Sequence, residues 1–198
     1  RPRGDLMSAL VATEPDGLGP DEVVTMAALL FAAGFETATH LLGNGLVALL
    51  GAPDQLARWR AAPDTLAEPA VNELLRFDSP VQIARRKALR PLLIGETEVA
   101  AGEKLTVCIG AANRDPARFT EPDRLDLTRA QGGSLAFGAG IHYCLGAPLA
   151  RLEGQVAFPA LLRRYPRLGR AGSGMRRISL TLRGYQRLPV TTGSPSPG

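Results

Sequence analysis

The chain has 198 residues, of which 45% are hydrophobic and 21% are charged, and its formal net charge is +4. This composition excludes an intrinsically disordered protein, because the apolar residues suffice for one sizeable core. The positive charge comes from arginines spread along the chain rather than from a basic run, so nucleic-acid binding is not expected. Two cysteines, Cys108 and Cys144, do not make a disulfide framework, and we expect a cytoplasmic protein.

A long helix is predicted in the first quarter of the chain, from Pro20 to about Leu50. Before it, residues 1–10 indicate the end of a helix or a linker, and residues 13–17 indicate a turn. The helix is apolar on nearly all sides, which is typical of a helix buried in the middle of a larger protein. Its longest apolar run, Val23 to Phe35, is too short to span a bilayer, so no membrane span is expected.

Three residues inside this helix are expected to lower the stability of the fold at their positions: Gly34, Glu36 and Thr37. Glycine weakens a helix by about 1 kcal/mol relative to alanine, and a buried carboxylate beside a hydroxyl needs polar partners. Such a local cost indicates function, because a glycine lets a cofactor or small ligand lie against the helix backbone. The Thr37 hydroxyl could bind either its own preceding helical turn or a ligand.

Two shorter helices are predicted next, over Asp54 to Ala61 and over Ala67 to Phe77. On the second helix, Glu73 and Arg76 are three residues apart and therefore share one face. A pair at this spacing is usually a solvated ion pair that contributes less than about 1 kcal/mol to stability.

A small strand-rich part is predicted in the second half of the chain. Strands are expected over Leu92 to Ile94, over Lys104 to Ile109 and, from an alternating apolar pattern, over Ile178 to Leu182. Cys108 lies in the second of these strands and is expected to be an inert core thiol. The predicted fold class is therefore mainly α with a small β part.

Cys144 lies where a glycine-rich loop leads into a predicted helix over Leu145 to Leu162. Gly138 and Gly140 allow a tight loop, and the N-terminus of a helix favours a thiolate over a neutral thiol. A thiolate close to His142 suits a soft-ligand metal centre with an acidic periphery, and haem fits that description.

Two other interpretations of this cysteine are simpler. A cysteine on a glycine-rich turn is often a buried structural residue. A zinc site is also conceivable, but its candidate ligands lack the short paired spacing of zinc-binding motifs. Those candidates are Cys108, Cys144, His40 and His142.

The loop resembles the haem-binding signature F-x-x-G-x-H-x-C-x-G of the cytochrome P450 family, here formed by Phe137, Gly140, His142, Cys144 and Gly146. Further segments resemble that family in the same order along the chain. Glu36 and Thr37 match its acid and alcohol pair, Glu73 and Arg76 its E-x-x-R pair, and Arg124 the arginine of its P-x-R segment. The resemblance is to the soluble bacterial type.

The resemblance implies a role for each matching residue. Cys144 is the expected ligand of the iron in haem b, and Glu36 and Thr37 are expected to deliver protons to bound dioxygen. The residues expected to line or bind the haem are Gly34, Arg86, Phe137, Gly138, His142 and Gly146. Arg85 is an alternative to Arg86 as the partner of a haem propionate. Glu73, Arg76 and Arg124 are expected to form a buried structural cluster.

The reaction implied by the resemblance is monooxygenation, in which one atom of O2 enters an organic substrate by hydroxylation or epoxidation. Electrons would come from NAD(P)H through a ferredoxin-type donor and its reductase. The chain matches only the C-terminal part of the family fold, so 1–191 are expected to be the haem-binding portion of one domain and 192–198 a flexible tail. The alternatives are a truncated fragment that binds haem without catalysis, and a peroxide-using haem-thiolate enzyme.

Overall fold

The structure is a computed structural model that describes residues 2–12 and 17–193. It divides into two compact units, Arg1–Thr37 and Ala38–Gly198. The turn predicted at 13–17 falls mostly on residues 13–16, which lie outside the described residues, and so does most of the predicted tail, 194–198. The expectation of a single domain over 1–191 stays a prediction.

The first unit contains helix α1 (Leu6–Val11) and the beginning of helix α2 (Pro20–Leu50). Asp5 is the N-cap of helix α1, and its side chain accepts a 2.8 Å hydrogen bond from the Ser8 amide and so satisfies one free donor of the first turn. The predicted bounds of α2 are confirmed.

Several apolar side chains of α2 in the first unit are exposed, in contrast to the burial expected from its sequence: Val24, Leu29, Phe31 and Phe35. By length and composition α2 could also cross a membrane, although the central helix of a soluble protein meets the same criteria. Burial of this helix would require surface that the described residues do not supply.

The second unit is built around three helices in addition to the end of α2. They are α3 (Pro53–Ala61), α4 (Ala67–Phe77) and α6 (Ala147–Arg164), and a short helix, α5 (Ile109–Ala112), lies between the last two. Helices α4 and α6 pack closely at Gly154, where an added Cβ would lie 3.0 Å from two methyl carbons of Val71. The core beside them includes Trp59 and Phe158, whose ring centroids are 5.5 Å apart.

The described part of the second unit also contains four small antiparallel sheets of two strands each. The pairs are β1 (Ile83–Lys87) with β4 (Lys104–Cys108), β2 (Leu92–Ile94) with β3 (Thr97–Val99), β5 (Gly169–Arg170) with β8 (Val190–Thr191), and β6 (Met175–Arg176) with β7 (Tyr185–Arg187). In the longest pair, Ile83 lies opposite Cys108 and Lys87 lies opposite Lys104. The predicted mainly helical fold with a small β part is confirmed.

Two expectations for the strands are wrong. Ile178 to Leu182 is not a strand, because the Ser179 hydroxyl accepts hydrogen bonds from the amides of Thr181 and Leu182 and holds the chain in a turn. Only Leu182 makes an isolated bridge, with Val81. Cys108 is exposed rather than buried in the core.

The helix after the cysteine is apolar on two faces, and only one of them packs on the core. Leu149, Leu152 and Val156 are 61%, 54% and 61% exposed, and Ala160 on the same side is exposed as well. The face that packs on the core carries Ala147, Gly154, Phe158, Pro159 and Leu162 instead. The helix is apolar on both sides, so periodicity alone did not distinguish the two faces.

Candidate functional site

Cys144 lies at the end of a tight loop that immediately precedes α6. The Cys144 amide donates a 2.9 Å hydrogen bond to the carbonyl oxygen of Phe137, which closes the loop across seven residues. Between them, Gly140–His142 form one turn of 3₁₀ helix, and the Tyr143 amide donates to the Gly140 carbonyl at 3.0 Å. The loop therefore fixes the backbone on both sides of the cysteine.

Glycine is required at two positions of this loop by backbone conformation. Gly138 has φ +73° and Gly140 has φ +66°, in the left-handed region that side chains disfavour. At Gly138 an added Cβ would also approach the His142 carbonyl oxygen to 3.4 Å. Gly146 does not need this freedom, but it is the N-cap of α6, and an added Cβ would lie 3.9 Å from the Cys144 sulfur.

The thiol of Cys144 is exposed, and so are the apolar side chains next to it in the chain. Ile141 is 98% exposed and Leu145 is 78% exposed. The cysteine is thus not a buried structural residue, and the loop offers a sulfur ligand together with apolar surface that a large flat cofactor would cover.

Glu73 is the centre of a buried cluster of charges beneath the start of the loop. Arg76 binds its carboxylate through two parallel hydrogen bonds, with Nε to Oε2 at 2.7 Å and Nη2 to Oε1 at 2.8 Å. Arg129 donates its Nε–H to the same carboxylate at 3.1 Å, and the Asp126 amide donates at 3.0 Å. The ion pair predicted for Glu73 and Arg76 is therefore present, and it is buried rather than solvated.

The prediction that the Arg124 side chain is the third member of this cluster is wrong. Its side chain is 58% exposed and pairs with Glu121 at 2.9 Å, and only its backbone carbonyl touches the cluster. Arg129 takes the expected place, with its side chain 7% exposed. The reason is local: the chain turns tightly between Glu121, which has φ +46°, and Arg124, so the two side chains of that turn pair outside the cluster.

Asp126 forms a smaller polar contact beside this cluster. Its carboxylate accepts hydrogen bonds from the hydroxyl and the amide of Thr128, at 2.8 and 3.0 Å. These bonds, with the hydroxyl bond first, hold the pKa of Asp126 below its usual range. The turn that delivers Arg129 to Glu73 is therefore stabilised by an ionised aspartate.

Comparison with known proteins decides the family of this chain. The sequence profile of the cytochrome P450 family matches residues 1–168, which is most of the chain. The chain belongs to the cytochrome P450 family. The family resemblance predicted from the cysteine loop is thus confirmed, and so is the fold, which is part of the cytochrome P450 fold.

The similar proteins are bacterial cytochromes P450. The chain is 45% identical to cytochrome P450 107B1 of Saccharopolyspora erythraea over 98% of its own length and 49% of the relative. It is 44% identical to the 6-deoxyerythronolide B hydroxylase of that organism, over 96% of this chain and 48% of the relative. The crystal structure of P450BioI with a ligated acyl carrier protein matches with a TM-score of 0.93 and 40% identity, over 98% and 50% of the two chains. The chain spans about half the length of the curated relatives it matches.

The residues of the loop fit the haem group that the family implies. A porphyrin supplies the equatorial ligands of its iron, so the protein needs to provide only one sulfur, and Cys144 presents that sulfur on an exposed, partly apolar surface. Within residues 2–12 and 17–193, no group of three or more His, Cys, Asp and Glu side chains is placed to hold a bare metal ion. The zinc alternative therefore has no support in the described structure.

Three polar side chains expected near the haem lie on the surface of the second unit. His142 is exposed at the end of the 3₁₀ turn, two residues before the cysteine. Arg85 and Arg86 are both exposed on β1, where Arg86 Nη1 donates to the Arg85 carbonyl at 2.8 Å. Because successive side chains of a strand point to opposite faces, only one of these arginines can face a given ligand.

The two residues expected to deliver protons to dioxygen belong to the first unit. Thr37 Oγ1 donates a 2.7 Å hydrogen bond to the Ala33 carbonyl, so its hydroxyl binds its own helix, which is one of the two options left open by its sequence. Glu36 and Thr37 are half-buried. An added Cβ at Gly34 would meet no atom within 4 Å, so the helix surface there is open.

Sequence reasoning missed a group of side chains that surround the cysteine loop. Arg151 lies on α6 and contacts Phe137 and Tyr143 of the loop and Asn72 of α4. Phe137 belongs to the haem-binding signature, but Asn72, Tyr143 and Arg151 are not among the motif positions that indicated the site.

Proposed function

We propose that this chain is the haem-thiolate portion of a monooxygenase that inserts one oxygen atom from O2 into an organic substrate, by hydroxylation or epoxidation. The single observation that carries the proposal is the exposed Cys144 thiol at the end of a closed, glycine-dependent loop, in a chain of the cytochrome P450 family. The alternative in which the cysteine is structural is disfavoured by its exposure.

In this proposal Cys144 would hold the iron of haem b through its sulfur. The bound haem would supply dioxygen activation and electron transfer, which no side chain of the protein can perform. Phe137, Gly138 and Gly146 shape the loop around the sulfur, and Gly34 leaves the surface of α2 open to the cofactor. Arg86 is the cation proposed to bind the acidic groups of the cofactor, and His142 is proposed to offer a ring N–H donor.

Glu36 and Thr37 are proposed to move protons to the reacting oxygen. An acid and an alcohol on consecutive residues of α2 can pass a proton from solvent into a dry site. The 2.7 Å bond from Thr37 to the Ala33 carbonyl uses the only hydroxyl hydrogen, so the Thr37 oxygen would accept a hydrogen bond at the site and would pass a proton on only after this bond is released. This relay favours a dioxygen-using enzyme over one that uses peroxide.

The proposed electron source is NAD(P)H, through a ferredoxin-type protein and its reductase, in the cytoplasm. Because the chain spans about half the length of the curated relatives, turnover is assigned to the full-length gene product. A chain that binds haem without turnover is the second candidate, favoured by the half coverage of those relatives. The relative named for hydroxylation of 6-deoxyerythronolide B is an example of the substrate chemistry.

The proton relay is tested with Thr37→Ala. We expect this variant to consume NAD(P)H but to convert about tenfold less of it into hydroxylated or epoxidised product, because proton delivery becomes uncontrolled. Thr25→Ala is the matched control, since Thr25 makes the same bond to the carbonyl four residues earlier on the same helix, at 2.8 Å. The ratio of product to NAD(P)H is measured in both variants with a reconstituted donor system. Equal ratios in the two variants would remove Thr37 from the mechanism.

A further inference from the structure

The Arg151 side chain contacts both ends of the cysteine loop. Its guanidinium carbon lies 4.6 Å from the centre of the Phe137 ring, within the range of a cation–π contact. Its Nη1 donates a hydrogen bond of 3.1 Å to the Tyr143 hydroxyl, one residue before the cysteine. The Phe137 carbonyl accepts the hydrogen bond from the Cys144 amide that closes the loop. Arg151 therefore contacts the side chain of Phe137 and that of Tyr143, the residue before Cys144.

The same arginine ties the loop to the rest of the core. Its Nε donates to the side-chain oxygen of Asn72 at 2.9 Å, and Asn72 directly precedes Glu73 on α4. The rings of Phe137 and Tyr143 also meet edge to face, with centroids 6.4 Å apart. The guanidinium is thus held at one end by a buried helix and holds the loop at the other.

We infer that Arg151 is a positioning residue for the Cys144 thiolate, acting through Phe137 and Tyr143. This inference rests on the proposed role of Cys144 as the haem ligand. Arginine suits the task because its planar fork binds two acceptors while its flat face stacks on a ring. Lysine offers a single charged nitrogen and cannot make the three contacts together.

The inference predicts how firmly the loop is held in the chain without haem. Arg151→Met keeps the apolar stem but removes the charge and both hydrogen bonds. We expect amide hydrogen exchange of the peptide that contains Cys144 to become about tenfold faster, because loop opening is favoured when these contacts are lost. Exchange of peptides from α3 is expected to stay within about twofold of the parent chain, because they do not touch Arg151.

Three further variants extend the test. Tyr143→Phe removes only the hydroxyl that accepts from Arg151, and we expect about threefold faster exchange at the loop. Arg163→Met is the control, since Arg163 is exposed in the last turn of α6, far along the helix from the loop. Its removal should leave loop exchange unchanged. In the double variant Arg151→Met with Tyr143→Phe, the loop should exchange no faster than in Arg151→Met alone.

A second measurement reads the thiolate itself in the haem-loaded gene product. The share of thiolate-type absorption in the reduced carbon monoxide complex should fall in Arg151→Met and stay at the parent level in Arg163→Met. In Arg151→Lys this share should lie between the values of the parent and of Arg151→Met. Unchanged loop exchange in both Arg151→Met and Tyr143→Phe would overturn the inference, and so would an equal rise across α3. Because hydrogen exchange is measured without haem, either of these two results would leave the assignment of Cys144 as the haem ligand intact.

Discussion

Two buried arginines next to one glutamate illustrate how single residues are satisfied in this protein. Each guanidinium has five N–H donors, and the structure provides an acceptor for every donor of Arg76 and Arg129. Arg76 uses the Glu73 carboxylate and the carbonyls of Asn113, Pro122 and Arg124. Arg129 uses Glu73, the carbonyls of Thr120, Glu121 and Arg124, and the Gln131 side chain. The irregular segment after α5 is therefore held by side chains rather than by a sheet.

Replacing each candidate arginine by leucine distinguishes the two possible third members of this cluster. Arg129→Leu leaves the Glu73 carboxylate buried with one cation fewer and strands several carbonyls, so we expect the free energy of unfolding to fall by about 3–5 kcal/mol. Arg124→Leu removes a surface pair with Glu121 and should cost less than about 1 kcal/mol. Urea unfolding of both variants measures the difference. A larger loss in Arg124→Leu would contradict the assignment of Arg129 to the cluster.

The helices show which elements a sequence specifies and which it leaves open. The bounds of α2 and α4 followed from capping, turn residues and periodicity, and the structure confirms both. The orientation of α6 did not follow, because its two opposite faces are both apolar and the choice depends on what packs against them. Similarly, Ile178 to Leu182 alternates like a strand, but the hydroxyl of Ser179 binds nearby amides and prevents it.

Two glycines of α2 provide a test of helix packing in the second unit. An added Cβ at Gly45 would lie 2.5 Å from the end of the Phe158 ring, which is 1% exposed and packs on Trp59. We therefore expect Gly45→Ala to lower the free energy of unfolding by about 1–3 kcal/mol, because the ring cannot move without disturbing the core.

Gly43→Ala is the matched control on the same helix. There the added Cβ would lie 3.8 Å from the Tyr185 ring, an ordinary contact, so the better helix propensity of alanine should raise stability by up to about 1 kcal/mol. Thermal unfolding of both variants gives the sign of each effect. Stabilisation by Gly45→Ala would show that α2 and α6 are not packed as described.

At the scale of the whole molecule, motifs were more informative than composition. The cysteine loop, the glutamate and arginine of α4 and the order of the segments indicated the family from sequence alone, and the family profile confirms it. The third member of the Glu73 cluster and the contacts of Arg151 could not be predicted, because they depend on the path of irregular segments between residues 113 and 144. Several apolar side chains of α2 and α6 are exposed in this structure. The chain spans about half the length of the curated relatives that it matches.

The central claim is that Cys144 binds haem through its thiolate. The most direct measurement is the absorption spectrum of the reduced carbon monoxide complex of the haem-loaded gene product. The proposal predicts a thiolate-type spectrum in the parent and in Cys108→Ser, which removes the other exposed cysteine, and its loss in Cys144→Ser. An imidazole-type spectrum in the parent, or a thiolate-type spectrum that persists in Cys144→Ser, would contradict it.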